Sequence, residues 1–191
     1  DTPYRTVGRA LEQVRTLHAD AILLRRGDAW REGVVLNRAG TAELPVLLGA
    51  YGDESLPRPV LSREGASERV RIAIVAPYQI ISDIDLQGVE TTDNALGMAA
   101  GAYHIYIEGC RMQGWGMGWR MNGEEGNTVH HVTQRRCVVV DNSTLGLYAP
   151  YADDVLVEEN VYDQNGTGGN IRQHALYLSR CGNRQVIRGN V

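Results

Sequence analysis

One phrase recurs along this chain and restricts its fold more than any other feature. It reads apolar-x-apolar-x-x-(Asn or small)-x-apolar, and it is clearest at Val155, Val157, Asn160 and Tyr162. Earlier copies are Val132, Gln134, Cys137 and Val139, then Ile105, Ile107, Cys110 and Met112, then Gln79, Ile81, Ile84 and Leu86. A last copy opens at Gln185, Ile187 and Asn190. The third-slot residues Ile84, Cys110, Cys137, Asn160 and Asn190 lie 26, 27, 23 and 30 residues apart.

A second phrase alternates with the first. It comprises Ala95-Leu-Gly-Met-Ala, Gly116-Met-Gly-Trp-Arg-Met, Thr144-Leu-Gly-Leu-Tyr-Ala and His174-Ala-Leu-Tyr-Leu, each a short run opening at or near a small residue or turn. Two phrases in step, with a period inside the 20–50-residue window of stacked repeats, describe a solenoid of short strands. The expected fold is all-β, a right-handed parallel β-helix, with residues 1–191 as a single domain. Its 22 glycines and absence of Phe suit narrow coils with many turns better than a bulky globular core.

The alternating phrases resemble the right-handed parallel β-helix superfamily typified by pectin and pectate lyases. That resemblance covers nearly the whole chain as architecture. It implies a carbohydrate-active protein, either a polysaccharide lyase or a glycoside hydrolase acting on an extracellular polysaccharide. Secretion, the periplasm or the cell surface is the implied location. No catalytic motif of a subfamily can be laid on the residues one by one, so a non-catalytic polysaccharide-binding or structural module stands beside the enzyme reading.

Residues 3–18 carry Val7, Leu11, Val14 and Leu17 at helical steps, which predicts a capping helix for the open N-terminal end of the solenoid. Residues 20–78 form the first coils and 79–191 the regular repeats. Val191 falls inside a repeat phrase, so further chain or a partner is expected to cover that end. A net charge of −4 gives no basic face for nucleic acid, and no apolar run reaches the length of a membrane span.

Strand alternation sorts the remaining residues by face. Ser82, Glu108, Arg135, Glu158 and Arg188 form an outward row, read as an exposed ion-pair ladder rather than a catalytic array. Glu158, Glu159 and Asn160 are not read as a metal site, because Asn160 points inward and arginines flank Glu158. No metal and no cofactor are expected. Cys110 and Cys137 are inward neighbours in adjacent coils, read as free thiols, and Cys181 lies in a turn.

The second phrase has its own outward row: Ala99, Arg120, Tyr148 and Tyr177. Arg120, Tyr148 and Tyr177 form a cationic and aromatic stripe suited to sugar rings and carboxylates, and are the expected substrate-binding residues. Stacking of Tyr on Tyr for strand stability explains the same pattern without a ligand. His174 is the candidate catalytic base and Tyr177 the candidate proton donor, although strict alternation would turn His174 inward. Two long loops, Asn122–His131 and Asp163–Gln173, are expected to flank this stripe. The first carries Glu124 and Glu125, the acids available to a hydrolase, and ends in the His130–His131 pair.

Overall fold

The computed structural model describes residues 3–62, 70–89, 93–167, 169 and 174–191. It is a parallel β-solenoid of about six turns. Each coil supplies one strand to each of three sheets, and every strand pair between coils is parallel. Sheet A has seven strands: Ala21–Arg25, Val46–Tyr51, Gln79–Ser82, Tyr103–Glu108, Val129–Arg135, Ala152–Glu158 and Gln185–Arg188. Sheet B has six short ones, including Arg111–Gln113, Val138–Val140 and Val161–Asp163. Sheet C also has six, among them Asn94–Met98, Met117–Met121, Leu145–Pro150 and His174–Ser179.

The first phrase spans sheets A and B. Ile105 pairs with Gln79 and Val132, and Val132 with Val155, so its first slots stack coil upon coil. Ile81, Ile107, Gln134 and Val157 fill the second slot and are fully buried. The register extends back to Val46, which pairs with Gln79, so the irregular-looking first coils belong to the same ladder.

The third slot shows how one turn is satisfied by three residue types. Asn160 accepts from the Cys137 backbone N–H (2.9 Å) and donates through Nδ2 to the Gln134 carbonyl (3.2 Å) and Asn190 Oδ1 (2.9 Å). Cys137 and Cys110 take the same place, their thiols 3.9 and 3.8 Å from the Ile107 and Ile81 carbonyls. Both are free thiols. Contact with Cys137 and burial raise the Cys110 pKa, which keeps it protonated as a weak donor. A second ladder, at the turn after sheet B, has no counterpart in the phrase. There Asn142 Oδ1 accepts from Trp115 N–H (3.1 Å), while its Nδ2 donates to the Met112 carbonyl and Asn165 Oδ1.

The N-terminal helix is much shorter than the expected 3–18: it spans Val7–Leu11. Thr6 caps it by accepting from Arg9 N–H, and the Glu32 carboxylate takes the N–H groups of Val7 (2.9 Å) and Gly8 (2.8 Å). Val7 and Val14 are buried as the periodicity requires, but Leu17 is 56% exposed and left-handed, at φ 62°. Beyond Glu12 the chain is instead closed by Asp20, which accepts from the backbone and guanidinium of Arg15.

Those hydrogen bonds hold the Asp20 carboxyl down to about 2. A depressed folded-state pKa gives stability that is complete above the unfolded carboxyl value, about 3.9, and is lost as pH falls toward the folded one. Asp20→Asn should therefore lower the Tm above about pH 5 and lose less between about pH 4 and 2. Thermal melts across that range check this, and parallel Tm curves would refute it.

The ion ladder keeps its predicted register, with Ser82, Glu108, Arg135, Glu158 and Arg188 in one row. It is not uniformly exposed: Glu158 is buried, held by Arg188 at 2.7 Å. Arg135 and Arg136 reach instead to Glu108 and Glu159, so the pairing is diagonal as well as along the row.

Candidate functional site

The outward face of sheet C carries the expected stripe. Arg120 pairs with Tyr148 in register, and Tyr148 with Tyr177. The Tyr148 and Tyr177 rings are stacked, centroids 5.6 Å apart and planes 8° from parallel. The Arg120 guanidinium carbon lies 5.4 Å from the Tyr148 ring centre, in cation–π range. Its Nε is buried and, among the described residues, has no hydrogen-bond partner.

The row continues upstream differently from the expectation. Gly97, not Ala99, faces Arg120, and Met98 rather than Ala100 aligns with Met121. The slip is two residues, which preserves parity and hides the error from an alternation argument. Gly97 therefore ends the row at a position that carries no side chain.

His174 lies on the stripe side, against strict alternation. Sheet C carries a local irregularity: Gly146 and Leu147 are both buried, as are Gly118 and Trp119. A Cβ on Gly118 would sit 2.5 Å from Val139 Cγ1, and one on Gly146 2.8 Å from the Tyr162 ring, so both glycines face inward. His174 is in register with Leu145, which is buried, but on the end strand of sheet C it is exposed, its ring 5.4 Å from Tyr177. Among the described residues its ring makes no hydrogen bond.

A second Arg–Tyr pair extends the stripe, although it was not among the expected residues. Arg180 lies over Tyr151, 5.5 Å from its ring centre, and donates to its hydroxyl. The signal was available, since Tyr151 and Arg180 each follow a stripe tyrosine by three residues. Tyr151 hydrogen bonding, then its charge, then Glu125 and Tyr148 raise the Arg180 pKa, so Arg180 stays cationic beside the hairpin.

The supposed long loop Asn122–His131 is such a hairpin. Glu124 and Asn127 exchange backbone hydrogen bonds at 3.1 and 3.0 Å, with Glu125 and Gly126 at the tip. His130 and His131 belong to the strand Val129–Arg135, not to a loop. In the second loop, residues 168 and 170–173 lie outside the described residues.

At the corner leading into sheet A, His104, His130 and His131 meet Tyr78 and Tyr103. The rings of Tyr103 and His130 stack at 5.1 Å and 7°, and those of His104 and His131 are 4.6 Å apart. Desolvation, then the charges of His131 and His130, lower the His104 pKa. Among the described residues, no group of three or more His, Cys, Asp or Glu is arranged to hold a metal ion.

No described protein family matches the sequence, and neither does any curated protein. Solved structures do resemble the fold. The native GH136 lacto-N-biosidase from Eubacterium ramulus matches 80% of this chain and 37% of its own, with TM-score 0.65 and 13% identity. Its selenomethionine derivative matches with TM-score 0.62 and 15% identity over the same shares. An alginate lyase from Paenibacillus sp. str. FPU-7 matches 80% of this chain and 72% of its own, with TM-score 0.48 and 14% identity. At these identities the likeness is one of fold, and this chain spans 37% of the length of the lacto-N-biosidase.

Proposed function

We propose that this is a carbohydrate-active protein of the pectate-lyase-like type that lays an acidic extracellular polysaccharide across the outer face of sheet C. One observation carries the reading: the parallel Tyr148 and Tyr177 rings, with the Arg120 guanidinium against Tyr148 and the Arg180–Tyr151 pair just past the strand ends. Stacked rings take the C–H faces of sugars, and guanidinium groups take carboxylates with geometric specificity. Such a ligand places the protein outside the cytoplasm, and no described helix is long and apolar enough to cross a membrane.

The chemistry this set suits is elimination beside a uronate. Arg120 neutralises the carboxylate and His174 removes the adjacent ring proton. The C–H electrons become the new double bond, the C–O bond to the leaving sugar breaks, and Tyr177 protonates that oxygen. Binding without turnover is the second reading, favoured by the His174 ring having no hydrogen-bond partner among the described residues.

Replacing Tyr148 and Tyr177 together by Ala should weaken binding of a uronate oligosaccharide at least about tenfold, or about 1.4 kcal/mol. The cost to folding should be small, about 1 kcal/mol, because Tyr177 is 44% exposed. Calorimetric titration beside thermal melts measures both, and unchanged affinity sinks the stripe. Growth of unsaturated-end absorbance on uronate polymers, lost in His174→Ala, separates lyase from binding module. Full turnover by that variant would remove His174 from the chemistry.

A further inference from the structure

Outside the stripe, the corner before sheet A holds a hydrogen-bonded histidine pair with a single consistent proton arrangement. Nδ1 of His130 lies 2.7 Å from Nδ1 of His131, which requires one hydrogen between them. Nε2 of His131 faces Asp154 Oδ2 at 3.5 Å, so the carboxylate favours the N–H on that nitrogen. The neutral His131 ring then has its lone pair at Nδ1 and accepts from Nδ1–H of His130. This leaves Nε2 of His130 as a bare acceptor. The reverse arrangement would aim an imidazole lone pair at a carboxylate.

The surroundings hold this arrangement in place. The Tyr103 ring stacks on His130, and His104, itself stacked on Tyr78, packs against His131. Arg184 grips Asp154 through two nitrogens and lowers its pKa, with the two histidines adding to the effect. Asp153 neighbours His130 in register on the next coil. Thr128, His130, Asp153, Asp154, Asn183 and Arg184 line an open groove of about 710 Å³.

We propose that Asp154, His131 and His130 form a relay that presents Nε2 of His130 as a hydrogen-bond acceptor to a hydroxyl-bearing ligand, a neutral saccharide, seated in this groove. A hydroxyl matches the lining. His130 and Asp153 accept, while Thr128 and Asn183 both donate and accept, as a sugar hydroxyl requires. Arg184 beside the groove disfavours a cationic ligand, and the Asp153 and Asp154 carboxylates in its lining disfavour an anionic one. The site is separate from the stripe and does not depend on it.

Long-range proton–nitrogen NMR spectra of the protein carrying ¹⁵N-histidine test the proposal. They should show His130 protonated at Nδ1 and bare at Nε2, and His131 protonated at Nε2. Titration with lactose or chitobiose should shift Nε2 of His130 saturably. Digalacturonate should produce no such shift. Asp154→Asn should mix the tautomers; because it also removes the Arg184 pair, a thermal melt confirms that the variant is folded. His131→Phe, which keeps the ring and removes the relay, should free His130 to take either tautomer. A dominant Nε2–H form of His130 in the unaltered protein would overturn the relay, and no saturable shift with either neutral disaccharide would overturn the ligand. The same titration in the Tyr148/Tyr177 double-alanine variant should be unchanged, which distinguishes failure here from failure of the stripe.

Discussion

Trp119→Ala should lower the unfolding free energy by about 3–5 kcal/mol, the usual cost of emptying a large aromatic site. Trp119 is fully buried in sheet C. Its Nε1–H donates to the Tyr162 hydroxyl at 3.3 Å, and that hydroxyl donates to Oε1 of the fully buried Gln134. Burial raises the Tyr162 pKa, so the phenol remains a donor to Gln134. Truncation thus opens a cavity and takes a donor from a buried polar chain whose Gln134 Nε2 is already without a partner. Against a typical total of about 5–15 kcal/mol, this is a large fraction. Urea unfolding should show a lower midpoint with an unchanged m-value, and a loss under about 1.5 kcal/mol would mean the core collapses around the gap.

Asn142→Ala should cost about 2–5 kcal/mol for a different reason, lost hydrogen bonds rather than lost volume. One buried amide serves three neighbours: the Trp115 N–H, the Met112 carbonyl and Asn165 Oδ1. Each buried group left unpaired costs about 1–3 kcal/mol, with partial recovery where water can enter. Asn142→Asp is the informative control, because its carboxylate keeps the acceptor for Trp115 but loses the donor to Met112. Equilibrium unfolding should place it below the natural protein, and an Asn142→Ala variant as stable as the natural one would refute the ladder.

What could be read from the sequence follows from how strictly each part repeats. The phrase holding Ile81, Ile107, Gln134 and Val157 was legible because one buried face imposes a period of two. It even assigned the polar Gln134 inward by position alone. The Trp115–Asn142 ladder was not, because an indole and an amide share no chemical pattern even though their turn is the same. Parity failed for His174 because it lies on the end strand of sheet C, a placement with no apolar signature. Near the N-terminus, Val7 and Val14 do face the core, but apolar spacing cannot show that the helix stops at Leu11 and that Asp20 closes the chain beyond Glu12.

The site divides in the same way. Arg120, Tyr148 and Tyr177 were visible as one row because register carried them. Tyr151 and Arg180 lay immediately after the strand ends, where alternation stops giving direction. The histidine pair was placed at a loop end because the Asn122–Thr128 segment looks unstructured until Glu124 and Asn127 close it.

The corner before sheet A has a further consequence for how such a protein can change. Tyr78, His104, His131, Asp154 and Arg184 occupy equivalent places in successive coils, with φ of 57°, 53°, 55°, 50° and 58°. A left-handed backbone costs a non-glycine residue about 1–2 kcal/mol. Yet an aromatic ring, two imidazoles, a carboxylate and a guanidinium all adopt it without altering the path of the chain. The coil stack imposes the bend, and the side chain at the bend only rides on it. These positions behave as interchangeable sockets along an edge, where a new sequence of side chains can be installed without repacking the interior. A library randomised at these five residues should retain folded members of diverse chemistry, whereas one randomised at Ile81, Ile107 and Val157 should not.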